Sequence, residues 1–275
     1  MTPPLRLIAT DLDGTFLGRD SLPSPLNVEA VRRAAGLGVR LVFATGRPAR
    51  WLQPLDVVAH VHPDAIASNG AVLYDVAAHR ATRAFPLPHD ATLEVMARVT
   101  HALPDAGFAV EYIESWGRTP AYPVRGDFVP ARVTSQSYDV LLTSGTPVKL
   151  LIRGPGIPTD DLARLVTPLV GTLLDVTLSL VQPDGILELS APGVSKASAL
   201  RLLLDEYGIA PGEVAAFGDM PNDLEMLRLA GRAFAMSNAH ATVLAEGFDV
   251  AGHHDESGFG RTVMALLDEL QAVSR

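Results

Sequence analysis

The chain has 275 residues, of which 48% are hydrophobic and 19% charged, enough apolar material for a packed core and too little charge for a disordered segment. Its 22 lysines and arginines against 31 acids leave a net charge of −9, which argues against nucleic acid or an anionic membrane surface as the main partner. It has no cysteine, so neither disulfides nor thiolate chemistry enter, and no apolar stretch reaches the roughly 18 residues that a membrane helix needs.

Leu5–Thr10 is a short, mostly apolar run of the kind that forms a strand buried on both faces. It passes abruptly into Asp11-Leu12-Asp13-Gly14-Thr15. Carboxylates at the end of a buried strand are costly unless something compensates, and a bound cation is a natural compensation. A tight Asp-Gly turn with Asp11 solvated or capping a helix is the competing reading. Ser24-Pro25 reads as the N-cap and first-turn proline of a helix carrying Val28, Val31, Ala34, Ala35 and Leu37. Val39–Ala44 is a second strand, running into Thr45-Gly46-Arg47-Pro48. Strand, helix, strand in this order predicts parallel pairing through a right-handed crossover. Asp11 and Thr45 then meet at the sheet edge where open parallel sheets bind ligands. Pro48 opens a further helix through Val57 and Val58, Ala65–Ser68 is a third strand closed by Asn69-Gly70, and Val72–Asp75 with Arg83–Phe85 reads as a hairpin.

From about Pro86 to Pro183 the texture changes. Prolines and aromatics scatter, with strand-like runs at Phe108–Ile113, Val148–Ile152 and Val176–Val181. Helix-like runs lie at Ala91–Ala102 and Thr159–Val170. This reads as an inserted α+β module. The α/β rhythm resumes at Ile186-Leu187-Glu188-Leu189, then a helix opening at Ser195-Lys196 with Ala199, Leu200 and Leu203. Glu213–Phe217 is a strand that ends on Gly218-Asp219-Met220-Pro221-Asn222-Asp223. A helix over Leu224–Leu229, a strand over Ala233–Met236, a short helix near Ala241–Ala245 and a last helix near Thr262–Val273 follow. The expected fold is α/β, a Rossmann-like parallel-sheet core from residues 1–85 and 186–275, with 86–185 as a separate domain.

Asp11 with Asp13, Thr45-Gly46, Lys196, and Asp219 with Asn222-Asp223 each sit just past a predicted strand or at a helix start. Carboxylate oxygens without histidine or cysteine nearby suit Mg²⁺, while the hydroxyl, the lysine and free N–H groups suit a phosphate. Each has a structural competitor: an end-of-strand turn for Thr45-Gly46, a solvated helix lysine for Lys196, a helix cap for Asp219. His253, His254 and Asp255 invite a second metal site, against which stands a solvated loop. Trp116, Arg118, Tyr122 and Arg125 of the inserted module are candidates for a substrate pocket, and equally for core and surface.

With these stretches quoted, the chain resembles the haloacid dehalogenase superfamily, in the Cof-type sugar-phosphatase branch with a C2-type α/β cap between the second and third motifs. The resemblance runs over essentially the whole length: Asp11-Leu12-Asp13-Gly14-Thr15, Ala44-Thr45-Gly46-Arg47, Lys196 in Gly193-Val194-Ser195-Lys196, and Gly218-Asp219-Met220-Pro221-Asn222-Asp223. It implies that Asp11 attacks phosphorus to give an aspartyl-phosphate. Asp13 then protonates the leaving group and activates water. Thr45, the Gly46 N–H, Lys196 and Asn222 are implied as phosphate ligands, with Asn69 a weaker candidate. Asp11, Asp13 through its backbone carbonyl, Asp219 and Asp223 (directly or through water) are implied around Mg²⁺. Residues 86–185 become the cap that sets specificity. Phe16 stands where leucine is commoner, and Asp255–Phe259 matches the family's acidic-glycine turn only loosely.

The expected function is Mg²⁺-dependent hydrolysis of a small phosphorylated metabolite, most naturally a sugar phosphate, by a monomer or small homo-oligomer. The opening Met1–Arg6 lacks the basic start and long apolar core of a signal peptide, so the expected place is the cytoplasm, with neither nucleic acid nor membrane as a partner. The first alternative is a phosphomutase or phosphotransferase using the same aspartate. A remoter one is a non-enzymatic phospho-acceptor signalling module, although such modules are much shorter and have no use for Asp13.

Overall fold

The structure, a computed structural model, describes residues 4–124, 130–179, 181 and 183–273. Arg125, one of the pocket candidates, lies outside the described residues. In chain order the first part holds β1 (Leu7–Thr10), α1 (Pro25–Gly36), β2 (Arg40–Ala44), β3 (Asp64–Ala67), β4 (Val72–Asp75) and β5 (Arg80–Ala84). The middle part holds α2 (His89–Ala102), β6 (Gly107–Tyr112), β7 (Trp116–Arg118), β8 (Val133–Thr134), α3 (Tyr138–Thr143), β9 (Pro147–Arg153), α4 (Thr159–Val170), β10 (Asp175–Thr177) and β11 (Ile186–Ser190). The last part holds α5 (Lys196–Tyr207), β12 (Val214–Gly218), α6 (Leu224–Leu229), β13 (Arg232–Met236), α7 (Ala241–Leu244), β14 (Asp249–Ala251) and α8 (Gly258–Val273).

The first and last parts share one sheet in the order β14-β13-β12-β1-β2-β3-β4-β5, parallel except for the terminal hairpin. Its central strand β1 is buried along its whole length, as the apolar run requires. Alternate residues feed two cores. Ile8, Phe43 and Phe217 pack toward α1 and α8; Leu7, Ala9, Val42 and Ala216 pack toward α5 and α6. The expected α/β core is therefore present, with helices on both faces. Ser24 caps α1 as anticipated, its hydroxyl accepting from the Asn27 N–H at 3.1 Å.

The middle part builds a second sheet in the order β10-β11-β9-β6-β7-β8. One face carries Phe108, Val110, Leu150, Ile152, Leu187 and Leu189 into a core with α2 and α4. The opposite face carries Glu111, Lys149 and Glu188 and meets the core domain. An ion pair and a hydrogen bond cross that junction: Arg50 forks onto Glu111, with Nη2 to Oε1 at 2.9 Å, and Lys149 Nζ donates to the Gly46 carbonyl at 2.6 Å.

Ile186–Ser190 corrects the sequence reading. It does not return to the core sheet but pairs antiparallel with β9 and β10 of the second. Its alternation explains this: Leu187 and Leu189 go inward while Ile186 and Glu188 turn the other way, the period of a strand covered on one face only. The helix expected after Pro48 is two 3₁₀ segments, Ala49–Trp51 and Gln53–Val61, because Pro54 has no N–H to continue a longer helix. Among the described residues the strand expected over Val176–Val181 covers Asp175–Thr177, and β7, β8, α3 and β14 were not anticipated. No helix among the described residues is long and apolar enough to cross a membrane.

Candidate active site

Parallel pairing brings the polar segments together. Thr10 of β1 is in register with Phe217 of β12 and Phe43 of β2, so Asp11, Asp219 and Thr45 all follow at one edge. Lys196 arrives there as the first residue of α5, which is fixed by a reciprocal cap: the Ser195 hydroxyl accepts from the Ser198 N–H, and the Ser198 hydroxyl accepts from that of Ser195. The lysine is 1% exposed, and its Nζ lies 2.6 Å from both Asp11 Oδ1 and Asp223 Oδ1. The remaining oxygen of Asp223 accepts the Asp219 and Met220 N–H groups, each at 3.0 Å. Asp219 Oδ1 accepts from the Thr15 hydroxyl at 3.1 Å. Gly14 has φ +79, and a Cβ there would lie 2.3 Å from Asp219 Oδ2, so the turn after Asp13 admits glycine for both reasons.

Asp13 stands apart from this cluster. Its carboxylate takes both Nε and Nη2 of Arg47, at 2.7 and 2.6 Å, and its side chain is 55% exposed. Thr45 is buried, its hydroxyl oxygen accepting the Arg47 N–H at 3.0 Å. Asn222 Nδ2 donates to Asn69 Oδ1 at 3.0 Å. A cleft of about 890 Å³ opens beside Lys196, Asn69 and Asn222, between the core and Thr177 of the second sheet.

Asp11, Asp219 and Asp223 offer oxygens that all lie within 4.8 Å of one another. Burial pushes the Asp11 carboxyl well up, against the pull of Lys196 and with a further push from Asp223, Asp219 and Asp13. Asp219 is pushed up to about 7, by burial and then by the charge of Asp223. Burial works against the Lys196 ammonium, but the charges of Asp11 and Asp223 outweigh it and hold the proton more firmly than usual. Three buried acids thus face one buried cation. Surplus negative charge on hard oxygens in a low-dielectric setting fits a divalent cation such as Mg²⁺.

The other candidates go elsewhere. His254 Nδ1 is 2.9 Å from the Leu17 carbonyl, and Asp255 takes the N–H and guanidinium of Arg19 at 2.8 and 3.0 Å. Their ring and carboxylate atoms cluster with those of His253, away from Asp11. Trp116 and Tyr122 pack with Ala109 and Leu151 inside the second domain, and Arg118 Nη1 donates to the Tyr122 carbonyl at 3.0 Å. Sequence reasoning passed over Arg47, Lys149 and Glu188. The signal was present: each is a charge next to a motif or inside an apolar strand.

A family model described as haloacid dehalogenase-like hydrolase matches residues 8–263. The chain is 29% identical over 274 residues to the 5-amino-6-(5-phospho-D-ribitylamino)uracil phosphatase YbjI of Escherichia coli, covering 97% of this chain and 96% of that protein. It is 27% identical over 271 residues to the pyridoxal phosphate phosphatase YbhA of the same organism, covering 95% and 98%. Among solved structures, SMU.1108c from Streptococcus mutans superposes with a TM-score of 0.83 at 23% identity, covering 96% of this chain and 99% of that one. The subclass IIB sugar phosphatase BT4131 superposes at 0.78 and 19% identity, covering 94% and 98%. The chain belongs to the haloacid dehalogenase-like hydrolases, in their Cof-type branch, and is a phosphoric monoester hydrolase.

Proposed function

We propose that the protein hydrolyses the phosphomonoester of a small metabolite of sugar or polyol type through an aspartyl-phosphate on Asp11. The single observation that carries this is Asp11 buried at the strand edge with Lys196 on one oxygen. A buried carboxylate held by one ammonium keeps its second oxygen for attack on phosphorus, and the fixed lysine orients it. Asp13, half exposed and forked by Arg47, suits the shuttling of a proton to the leaving oxygen and from the attacking water. Thr45, the Gly46 N–H, Lys196 and Asn222 would hold the phosphoryl oxygens as charge grows on them. The carboxylates of Asp11, Asp219 and Asp223, with the Asp13 backbone carbonyl, would hold Mg²⁺. When bound, that ion offsets the repulsion between the attacking carboxylate and the phosphoryl group.

The inserted domain acts in this reading as a cap over the site, and its second boundary belongs after Ser190, since β11 is part of its sheet. The named relatives support a phosphorylated metabolite as substrate. The test is release of inorganic phosphate from a panel of sugar, polyol and vitamin phosphates, with Mg²⁺ and with a chelator. Mg²⁺-dependent release from at least one of them is expected. Transfer to an added sugar without free phosphate would overturn hydrolysis in favour of a transferase.

A further inference from the structure

Glu188 sits on the face of the second sheet that meets the core, and its side chain is 14% exposed. It takes three hydrogen bonds: Lys149 Nζ at 3.0 Å, Ser179 Oγ at 2.7 Å and Asn69 Nδ2 at 2.6 Å. Lys149, buried, also donates to the Gly46 carbonyl at 2.6 Å. Asn69 passes the chain on, accepting at Oδ1 from Asn222 Nδ2 at 3.0 Å. The oxygen at the far end, Asn222 Oδ1, is buried and has no hydrogen-bond partner among the described residues.

This chain of groups has a direction. A primary amide can turn either its oxygen or its NH₂ to a neighbour, and the two choices have nearly the same shape. An ionised carboxylate only accepts. Glu188 therefore obliges Asn69 to present its NH₂, which leaves Asn69 Oδ1 for Asn222. Asn222 must then present its own NH₂, keeping a second N–H hydrogen and its oxygen for the cleft. Reversing either amide would set acceptor against acceptor beside a charge. Asn69 is held in the left-handed region, φ +57, which asparagine tolerates better than most residues. A Cβ on Gly46 would come 3.2 Å from Asn69 Oδ1 and 3.4 Å from Glu188 Oε2, so the approach is close at that position too.

We infer that Glu188 is a positioning residue. Carried by the inserted domain, it orients Asn69 and Asn222 and, through Lys149, holds the Gly46 carbonyl, so that the phosphoryl cradle is complete only when that domain is docked. The inference deepens the phosphatase reading and rests on it for the role of Asn222 and Gly46. It also gives the inserted domain a task beyond selecting the leaving group, because even a substrate with no contacts to that domain would need it.

The test is calorimetric titration with inorganic phosphate in Mg²⁺ buffer, alongside kcat and KM for a phosphomonoester. The proteins compared are the unaltered one, Glu188→Gln, Asn222→Ala and the two combined. Glu188→Gln is expected to weaken phosphate binding on the order of tenfold, Asn222→Ala by a similar factor, and the combination by no more than the larger of the two. A lowered thermal midpoint with unchanged phosphate affinity would make Glu188 a packing contact only. Multiplying losses would mean that the two residues act independently. Either result overturns the inference. Should Glu188→Gln fail to fold because Lys149 is left buried and unpaired, Glu188→Gln with Lys149→Gln removes both charges. It is expected to show the same weakening, and undiminished affinity there overturns the inference equally. Intact turnover with none of this pattern removes the orienting role and leaves the phosphatase reading standing. Phosphate binding that follows the pattern in a protein that turns over no phosphomonoester does the reverse.

Discussion

Lys196 Nζ lies midway in a carboxylate sandwich, 2.6 Å from Asp11 Oδ1 and 2.6 Å from Asp223 Oδ1, with all three side chains buried. Breaking a buried pair costs more than the pair contributes, because the partner is left charged without compensation. Lys196→Met should therefore destabilise the fold by about 3–5 kcal/mol in Mg²⁺-free buffer. Urea denaturation with and without Mg²⁺ checks this. The ion should recover more stability in the variant than in the unaltered protein, and equal recovery would contradict the charge argument.

Asp11→Asn should behave in the opposite way. It removes the nucleophile and relieves a crowded acid cluster at once. Turnover is expected to fall by roughly 10³-fold or more, while the unfolding midpoint in Mg²⁺-free buffer holds or rises. A variant that retained ordinary turnover would rule out Asp11 as the attacking group.

The acid cluster also sets a pH dependence. Asp219 is held up to about 7 in the folded chain, against an ordinary 3.8. Between those values the folded state binds more protons than the unfolded state, so the stability slope with pH is negative. The contribution is fully present below about 4 and is lost as pH rises through about 7. Thermal unfolding without Mg²⁺ should therefore show a midpoint that falls from pH 5 to pH 8. Asp219→Asn should flatten that fall, and Mg²⁺, which takes up the ionised form, should flatten it as well.

Arg47 offers a contrast, since Asp13 is 55% exposed and solvent screens the pair. Arg47→Ala should change stability by less than about 1 kcal/mol. Its effect belongs to turnover, because the fork on both Asp13 oxygens fixes the direction in which that carboxyl points. A drop in kcat of about tenfold is expected. Arg47→Lys should recover little, because an ammonium cannot fork onto a carboxylate.

How much of this could be read beforehand follows from physical range. Asp11, Thr45 and Asp219 each end an apolar strand, and parallel pairing converts that local fact into proximity, so their convergence was legible. Lys196 was legible once Ser195 marked a helix start. Glu188 and Lys149 were not: their meaning depends on which sheet β11 joins, a choice between distant partners that its five residues do not announce. Only the alternation of Leu187 and Leu189 against Glu188 hinted at a strand covered on one side. The same reasoning separates Trp116 and Tyr122, where sequence left pocket and core equally open and packing against Ala109 and Leu151 decides for the core.

The placement of β11 has a mechanical consequence. It ends at Ser190 and α5 begins at Lys196, so only Ala191–Ser195 link the inserted sheet to the helix that carries the buried ammonium. A swing of one body against the other would be transmitted along this short tether to the cap of α5. Opening for product departure and loosening of the lysine from Asp11 would then be a single movement.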